Sequence, residues 1–162
     1  LFVLAITALF LMSACVKQSE QALVSQELGI EVSGCEVISS IDNHGGFHGD
    51  GIEFVTLRCP DENVLNQIRH DSGRKSFPMD DTATAIVYGL SDETKKMGPF
   101  VADDEGNPLV PEIENGYYIL IDRQAGDGKT EKTEILGRAS FNFTLGVYDA
   151  DTDILYYCEL DT

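Results

Sequence analysis

The sequence lacks the short signatures that mark several large enzyme classes. It has no Gly-x-Ser-x-Gly elbow, no Gly-x-x-x-x-Gly-Lys-Ser/Thr phosphate loop and no His-Glu-x-x-His pair. These patterns present, respectively, a nucleophile, a phosphate cradle and a metal-bound water. Serine and histidine residues are present, but no spacing links them into a catalytic group. The sequence therefore supports no nucleophilic enzyme and leaves any reaction unspecified.

Basic residues are also scarce. Eleven lysines and arginines stand against 28 aspartates and glutamates, which gives a formal net charge of −17. A surface this negative repels phosphate backbones and anionic lipid headgroups, so we expect no nucleic-acid partner. Two interpretations of the acidity stay open: solubility outside the cell, or attraction of cations and basic partners.

The four cysteines, Cys15, Cys35, Cys59 and Cys158, include no Cys-x-x-Cys pair. A structural zinc site built on thiolates is therefore not expected. An extracytoplasmic location would permit a disulfide among them.

The chain opens with an uncharged apolar run from Leu1 to Leu11, followed by Ser13, Ala14 and Cys15. Such a run has the composition of a signal-peptide core, and it is shorter than the roughly 20 residues that span a bilayer. Small residues directly before a cysteine resemble the lipobox of bacterial lipoproteins. The alternatives are an ordinary secretory signal with an incidental cysteine, or a buried apolar helix.

The lipoprotein resemblance implies a signal peptide over residues 1–14, whose beginning we expect to precede this chain because no basic segment comes before the apolar run. It implies that Cys15 carries the lipid, with acyl chains such as palmitate, and that residues 15–29 form a tether. The protein would then be anchored extracytoplasmically in the cell membrane or, in a two-membrane organism, the outer membrane. The segments Asp103–Pro108 and Asn115–Tyr118 are similar to those of uncharacterised small lipoproteins of anaerobic Gram-positive bacteria.

Residues 30–162 are predicted to form a single extracytoplasmic α+β domain, in which a mainly antiparallel sheet of about six strands carries one packed helix. A β-sandwich or a partly open barrel is the alternative. We predict a short helix ending near Leu28 and a longer one over Asp61–His70. The predicted strands are Ile30–Asp42, Ile52–Cys59, Thr82–Tyr88, Tyr117–Arg123, Phe141–Val147 and Ile154–Leu160. The stretch between Ser91 and Gly116 is predicted to be a long loop, functional or mobile.

Two hairpin registers follow from the apolar alternation. If Phe47 is the centre of the first turn, Cys35 lies opposite Cys59, Ile41 opposite Glu53, and Glu36 opposite Arg58. The two cysteines would then form a disulfide or remain two buried thiols. In the last hairpin, a four-residue turn at Asp149–Thr152 places Val147 opposite Ile154, Leu145 opposite Tyr156 and Phe143 opposite Cys158.

The loop Asp42–Gly51 contains two histidines flanked by aspartates among four glycines. Imidazole and carboxylate groups suit a divalent transition metal, or they could serve as an acid/base pair. The candidate site residues are Asp42, His44, His48 and Asp50. The alternative is a plain solvated connection, since glycine and aspartate favour turns.

The sequence thus predicts a lipid-anchored binding or interaction module of the bacterial cell envelope, with an unknown protein or small molecule as its ligand. The alternative is a metal-dependent or acid/base enzyme that uses the Asp42–Gly51 loop.

Overall fold

Eight strands and three α-helices follow one another in the computed structural model, which describes residues 18–45, 49–91, 96–125 and 135–162. In chain order the elements are α1 Glu20–Leu28, β1 Glu36–Asp42, β2 Gly51–Arg58, α2 Glu62–His70, β3 Lys75–Ser76, α3 Asp81–Val87, β4 Leu90–Ser91, β5 Lys96–Met97, β6 Gly116–Asp122, a 3-10 helix Ile135–Gly137, β7 Asn142–Asp149 and β8 Ile154–Asp161. Cys15 and the predicted signal peptide lie outside these residues.

Six of the strands form one antiparallel sheet in the order β1-β2-β8-β7-β6-β3, and β4 pairs with β5 separately. The large sheet is not closed into a barrel. The predicted α+β class, with a mainly antiparallel sheet of six strands, is therefore confirmed. Both edges of the sheet, β1 and β3, end the hydrogen-bonded ladder in the described part of the chain.

Helices cover both faces of the large sheet. The first face packs under α1, α2 and the segment that joins α1 to β1, with a core of Val24, Leu28, Ile30, Val32, Cys35, Val55, Leu57, Cys59, Val64, Ile68, Tyr148, Leu155 and Tyr157. The second face packs under α3 and the chain after β5, with a core that includes Phe54, Ile86, Val87, Val101, Val110, Phe143, Leu145, Val147 and Cys158. Burial on two faces explains why so many strand residues in this domain are apolar at consecutive positions.

The helices of the first face begin and end where capping chemistry predicts. Ser19 accepts a hydrogen bond from the Ala22 amide at the start of α1, and Gly29 ends the helix with a φ of 65°. Asp61 accepts from the Asn63 amide at the start of α2. Each cap satisfies a backbone group that the helix itself leaves unpaired.

The predicted strand Thr82–Tyr88 is wrong, because most of these residues form helix α3. Asp80 accepts a hydrogen bond from the Ala83 amide and thereby caps the helix. Ala83, Ala85, Ile86 and Val87 are all buried, so the helix is apolar on several sides. A helix buried in this way loses the polar stripe by which helical periodicity is recognised.

The predicted register of the first hairpin is correct at the end far from the turn and wrong nearer to the turn. Glu36 pairs with Arg58, as predicted, but a β-bulge between Val37 and Ser39 shifts the later pairs by one residue. Ile41 therefore lies opposite Phe54 and not opposite Glu53. A bulge adds one unpaired residue to one strand, which simple alternation does not reveal.

The last hairpin is shifted by two residues from the predicted register. Phe143 pairs with Leu160, Leu145 with Cys158 and Asp149 with Ile154, so the turn is Ala150–Asp153. A slip of two keeps every side chain on its predicted face. Cys158 is accordingly buried, as a free thiol.

The described chain from residue 96 to residue 115 packs on the second face of the sheet. Val101 and Val110 are fully buried in that core, and Phe100 packs edge-to-face on Phe141 at a centroid distance of 4.9 Å. The segment therefore contributes apolar side chains to the core of this face.

Candidate binding end of the sheet

One end of the large sheet gathers most of the predicted site residues that the structure describes. Asp42 ends β1 and Gly51 begins β2, so the loop between them projects from this end. The stem of the loop is closed by Asn43, whose backbone amide donates to Ile52 O at 3.1 Å and whose side-chain oxygen accepts from the Ile52 amide at 2.7 Å. His48, the second predicted histidine, lies outside the described residues.

His44 is held by Asp42 within this loop. Its Nδ1 lies 2.9 Å from Asp42 Oδ1, and its backbone amide donates to the same oxygen at 3.1 Å. The residue also packs on the backbone of Gly51, where a Cβ atom would come within 2.5 Å of His44 Cα. Gly51 therefore has to remain a glycine for the histidine to lie in this position.

A third residue, Asp161, faces the opposite side of the imidazole. His44 Nε2 lies 3.5 Å from Asp161 Oδ2, and this buried nitrogen makes no hydrogen bond. Asp161 ends β8, which lies next to β2 in the sheet and therefore brings the C-terminal strand to this loop. The imidazole thus lies between carboxylates from two strands that are far apart in sequence.

This geometry determines what the three groups can do. In the imidazolium form, both N–H groups point toward a carboxylate; in the neutral form with the proton on Nδ1, the Nε2 lone pair points toward Asp161. The Asp42–His44 pair therefore has the arrangement of a histidine oriented by a carboxylate, as an acid/base residue requires. The two carboxylates lie on opposite sides of the ring, so they do not converge on a single ion.

Arg123 holds the Asp161 carboxylate by an ion pair. Its Nη2 donates to Asp161 Oδ1 at 2.7 Å and to Leu160 O at 3.1 Å, while Nη1 contacts Glu159. Glu159 also accepts from the Tyr157 hydroxyl at 2.7 Å. Burial, together with this hydrogen bond, raises the pKa of Tyr157, so its hydroxyl remains a donor at neutral pH.

Two open depressions flank the loop. One, of about 490 Å³, is lined by Gly49, Asp50, Asn142, Asp161 and Thr162. The other, of about 540 Å³, shares Asp50, Asp161 and Thr162 and adds the apolar surface of Ile52, Phe100 and Leu160. Among the described residues of both linings, the charged side chains are the carboxylates of Asp50 and Asp161, so both depressions favour positively charged ligands.

The structure thus brings Asp42 and His44 into contact and places Asp50 in the lining of both depressions. Asp161 and Arg123 were missed at the sequence level. The signal for Asp161 was the occurrence of the acidic residues Glu159 and Asp161 at alternate positions near the end of an otherwise apolar strand, where the sheet face is only partly buried. Among the described residues, no group of three or more histidine, cysteine, aspartate or glutamate side chains is placed to hold a metal ion. The divalent metal remains a prediction.

A disulfide joins Cys35 to Cys59 at the other end of the β1–β2 hairpin. It connects the residue before β1 to the residue after β2, within the core of the first face. Cys158 is buried as a thiol, and burial raises its pKa. Its thiolate is therefore scarce, and the group is unsuited to be a nucleophile.

The aspartates of the last hairpin turn are occupied by internal hydrogen bonds. Asp149 accepts from the Asp151 amide and the Thr152 hydroxyl, Asp151 accepts from Asn115, and Asp153 accepts from Tyr148. These bonds stabilise the turn and leave the carboxylates pointing at different partners. The turn is therefore not a second candidate site.

No helix in the described ranges is long and apolar enough to cross a membrane. Comparison with protein families, curated proteins and solved structures finds no match to this chain.

Proposed function

We propose that this chain is a lipid-anchored, extracytoplasmic binding or interaction module of the bacterial cell envelope. The observation that carries the proposal is the Cys35–Cys59 disulfide. Disulfides persist outside the reducing cytosol and are rare within it. The lipobox-like Ser13-Ala14-Cys15 and the net charge of −17 agree with an exterior surface.

The anchor is tested by metabolic labelling of the full chain in a bacterial host with an alkyne analogue of palmitate. We expect the wild-type chain to carry the label and to fractionate with membranes. Cys15→Ser should carry no label and should leave the membrane fraction, since stable anchoring needs acyl chains. Cys158→Ala is the matched control, because it removes a cysteine that is buried in the core. Equal labelling of wild type and Cys15→Ser would overturn the anchor.

The two depressions at the loop end of the sheet are the binding region of this module. Asp50 and Asp161 contribute to both linings, and the other polar lining residues in the described part of the chain are neutral. We therefore assign a small cationic molecule, such as an organic amine, as the ligand class. Apolar contacts from Phe100 and Leu160 would cover the hydrocarbon part of such a ligand.

Titration with 1,4-diaminobutane, followed by NMR, tests this assignment. We expect saturable shifts for residues around Asp50 and Asp161, and no such shifts with the uncharged 1,4-butanediol. Asp50→Asn/Asp161→Asn should abolish the response. Glu112→Gln/Glu114→Gln is the control, because it removes the same charge from exposed residues that line neither depression. A response that both double variants weaken equally would show attraction to the overall charge and would contradict the site.

The second candidate function is a metal-dependent or acid/base enzyme. The 2.9 Å contact between His44 Nδ1 and Asp42 favours it, because a carboxylate orients the imidazole as catalysis requires. Zinc added while thermal unfolding is followed should then raise Tm, and His44→Ala/His48→Ala should abolish the increase. No increase, or the same increase in the double variant, would exclude the metal site.

A further inference from the structure

The two edges of the large sheet differ in how they meet solvent. β3 has only two residues, Lys75 and Ser76, and Pro78 follows shortly after. Short length, lysine and proline are the usual features that prevent an edge from pairing with another chain. This edge is therefore protected.

The opposite edge, β1, has none of these features. It runs over seven residues, Glu36–Asp42, and contains neither lysine nor proline. Its bulge lies near its beginning, between Val37 and Ser39, so the four residues from Ser39 to Asp42 continue in regular pairing with β2. An edge of this length presents a row of backbone donors and acceptors to any extended chain that approaches it.

Apolar side chains are exposed on the same strand. Among the described residues, three large hydrophobic side chains are exposed, and two of them, Ile38 and Ile41, lie on β1 with 46% of each accessible. The third, Leu90, lies in the separate two-stranded sheet. A partner strand beside β1 would cover both isoleucines and pair with the backbone in one step.

Charge decides which partner fits. In a fully overlapping antiparallel pair of two copies, Glu36 of one strand would face Asp42 of the other, and in the parallel pair each carboxylate would face its own copy. Like charges directly opposite destabilise a strand pair, and each chain carries a net charge of −17. A second copy is therefore disfavoured, and a basic strand is complementary.

We propose that the outer edge of β1 is a docking edge for an extended segment of a partner protein in which lysine or arginine alternates with apolar residues. The segment adds to the sheet next to β1. Its backbone supplies most of the affinity, its apolar residues cover Ile38 and Ile41, and its basic residues meet Glu36 and the acidic surface. This docking edge is separate from the depressions at Asp50 and Asp161.

A capped peptide of about eight alternating lysine and valine residues is a suitable probe, since this is an ordinary strand length. We expect it to bind the folded protein and to slow amide hydrogen exchange at residues of β1. The same peptide with N-methylated alternate amides should not bind, because one backbone edge is blocked. A glutamate–valine peptide should not bind either. Equal binding of the N-methylated peptide would overturn strand addition.

Substitution of the exposed isoleucines tests whether the peptide binds beside β1. Ile38→Lys/Ile41→Lys should weaken peptide binding by at least about tenfold, because two apolar cross-strand pairs are lost and two lysines face lysines. Leu90→Lys is the matched control, with the same chemistry on a different sheet, and should leave binding unchanged. Unchanged binding by the double variant would overturn the proposal.

Two further results separate this inference from the proposed function. Asp50→Asn/Asp161→Asn should keep peptide binding while it loses the response to diaminobutane, so each proposal can fail alone. Sedimentation velocity of the protein without peptide should show a monomer. A dimer that Ile38→Lys/Ile41→Lys dissolves would identify a second copy as the occupant of β1 and would overturn the basic partner.

Discussion

Arg74 is an arginine whose burial the sequence does not suggest. Its side chain is 4% exposed, and it donates to Asp71 and to the backbone oxygen of Leu28, the last residue of α1. Burial lowers the pKa of its guanidinium. The donor thus satisfies a carbonyl that the end of α1 leaves unpaired, and it joins the two helices of the first face.

Arg74→Ala should therefore lower the free energy of unfolding by about 2–3 kcal/mol, because a buried carbonyl loses a charged donor. Arg58→Ala should change it by less than about 0.5 kcal/mol, since Arg58 lies 3.6 Å from Glu36 with more than half of its side chain exposed. Urea unfolding measures both. Similar effects of the two substitutions would show that the bond to Leu28 adds little.

At the candidate site, sequence proximity determined what could be predicted. Asp42 and His44 are two residues apart, and their pairing needs only a local turn. Asp161 reaches the same imidazole because β8 lies beside β2, a pairing between segments about a hundred residues apart. Long-range strand order is not contained in the local pattern, so this half of the site was not predictable from it.

Helix α3 shows where intrinsic preference yields to tertiary structure. Threonine, isoleucine and valine favour strands, yet Asp81–Val87 is helical. Asp80 supplies the N-cap, and Lys75 Nζ lies 2.7 Å from the second oxygen of its carboxylate. The bond from Lys75, followed by that from the Ala83 amide, lowers the pKa of Asp80. The capped helix buries apolar residues of the second face of the sheet, and this packing outweighs the strand preference of its side chains.

Asp80→Ala should lower the free energy of unfolding by about 1 kcal/mol, because the helix loses its N-cap acceptor. Asp80→Asn keeps an oxygen acceptor and should lower the free energy of unfolding by only a few tenths of about 1 kcal/mol, since the exposed ion pair with Lys75 contributes little. The comparison by urea unfolding separates the cap from the charge. Equal losses in both variants would assign the effect to the ion pair.

The strands were predictable in kind but less so in register. Alternating apolar residues correctly placed β2, β6, β7 and β8 to within a few residues. The bulge in β1 was not visible because simple alternation does not reveal an extra residue in one strand. The two-residue slip between β7 and β8 was not visible because it keeps every side chain on the same face. The predicted faces are therefore correct in β7 and β8, whereas Ile41 in β1 lies on the opposite face from the predicted one.

At the scale of the whole molecule, the buried tyrosines make the stability of the fold depend on pH. Burial raises the pKa of Tyr88, Tyr148, Tyr156 and Tyr157 above the ordinary value. In the unfolded chain these groups ionise near pH 10. Their folded pKa values are higher, so the associated stability is complete below about pH 10 and is lost as the pH rises above it.

We therefore expect alkaline unfolding that begins above about pH 10, with tyrosinate absorbance that appears together with the loss of far-UV circular dichroism. Tyr157→Phe should make the loss of stability less steep, since one buried ionisable group is removed. Full tyrosinate absorbance in a protein that retains its circular dichroism would contradict the assignment of these hydroxyls to the buried, protonated state.

The disulfide also determines what a cut in the first hairpin does to the chain. Cys35 and Cys59 enclose β1, the loop and β2, so any single cut of the chain between these residues leaves two pieces that remain covalently joined. A protease that cuts the chain once between these residues therefore does not release the segment before β1 from the rest of the domain. The nicked protein would migrate as one band on a non-reducing gel and as two after reduction.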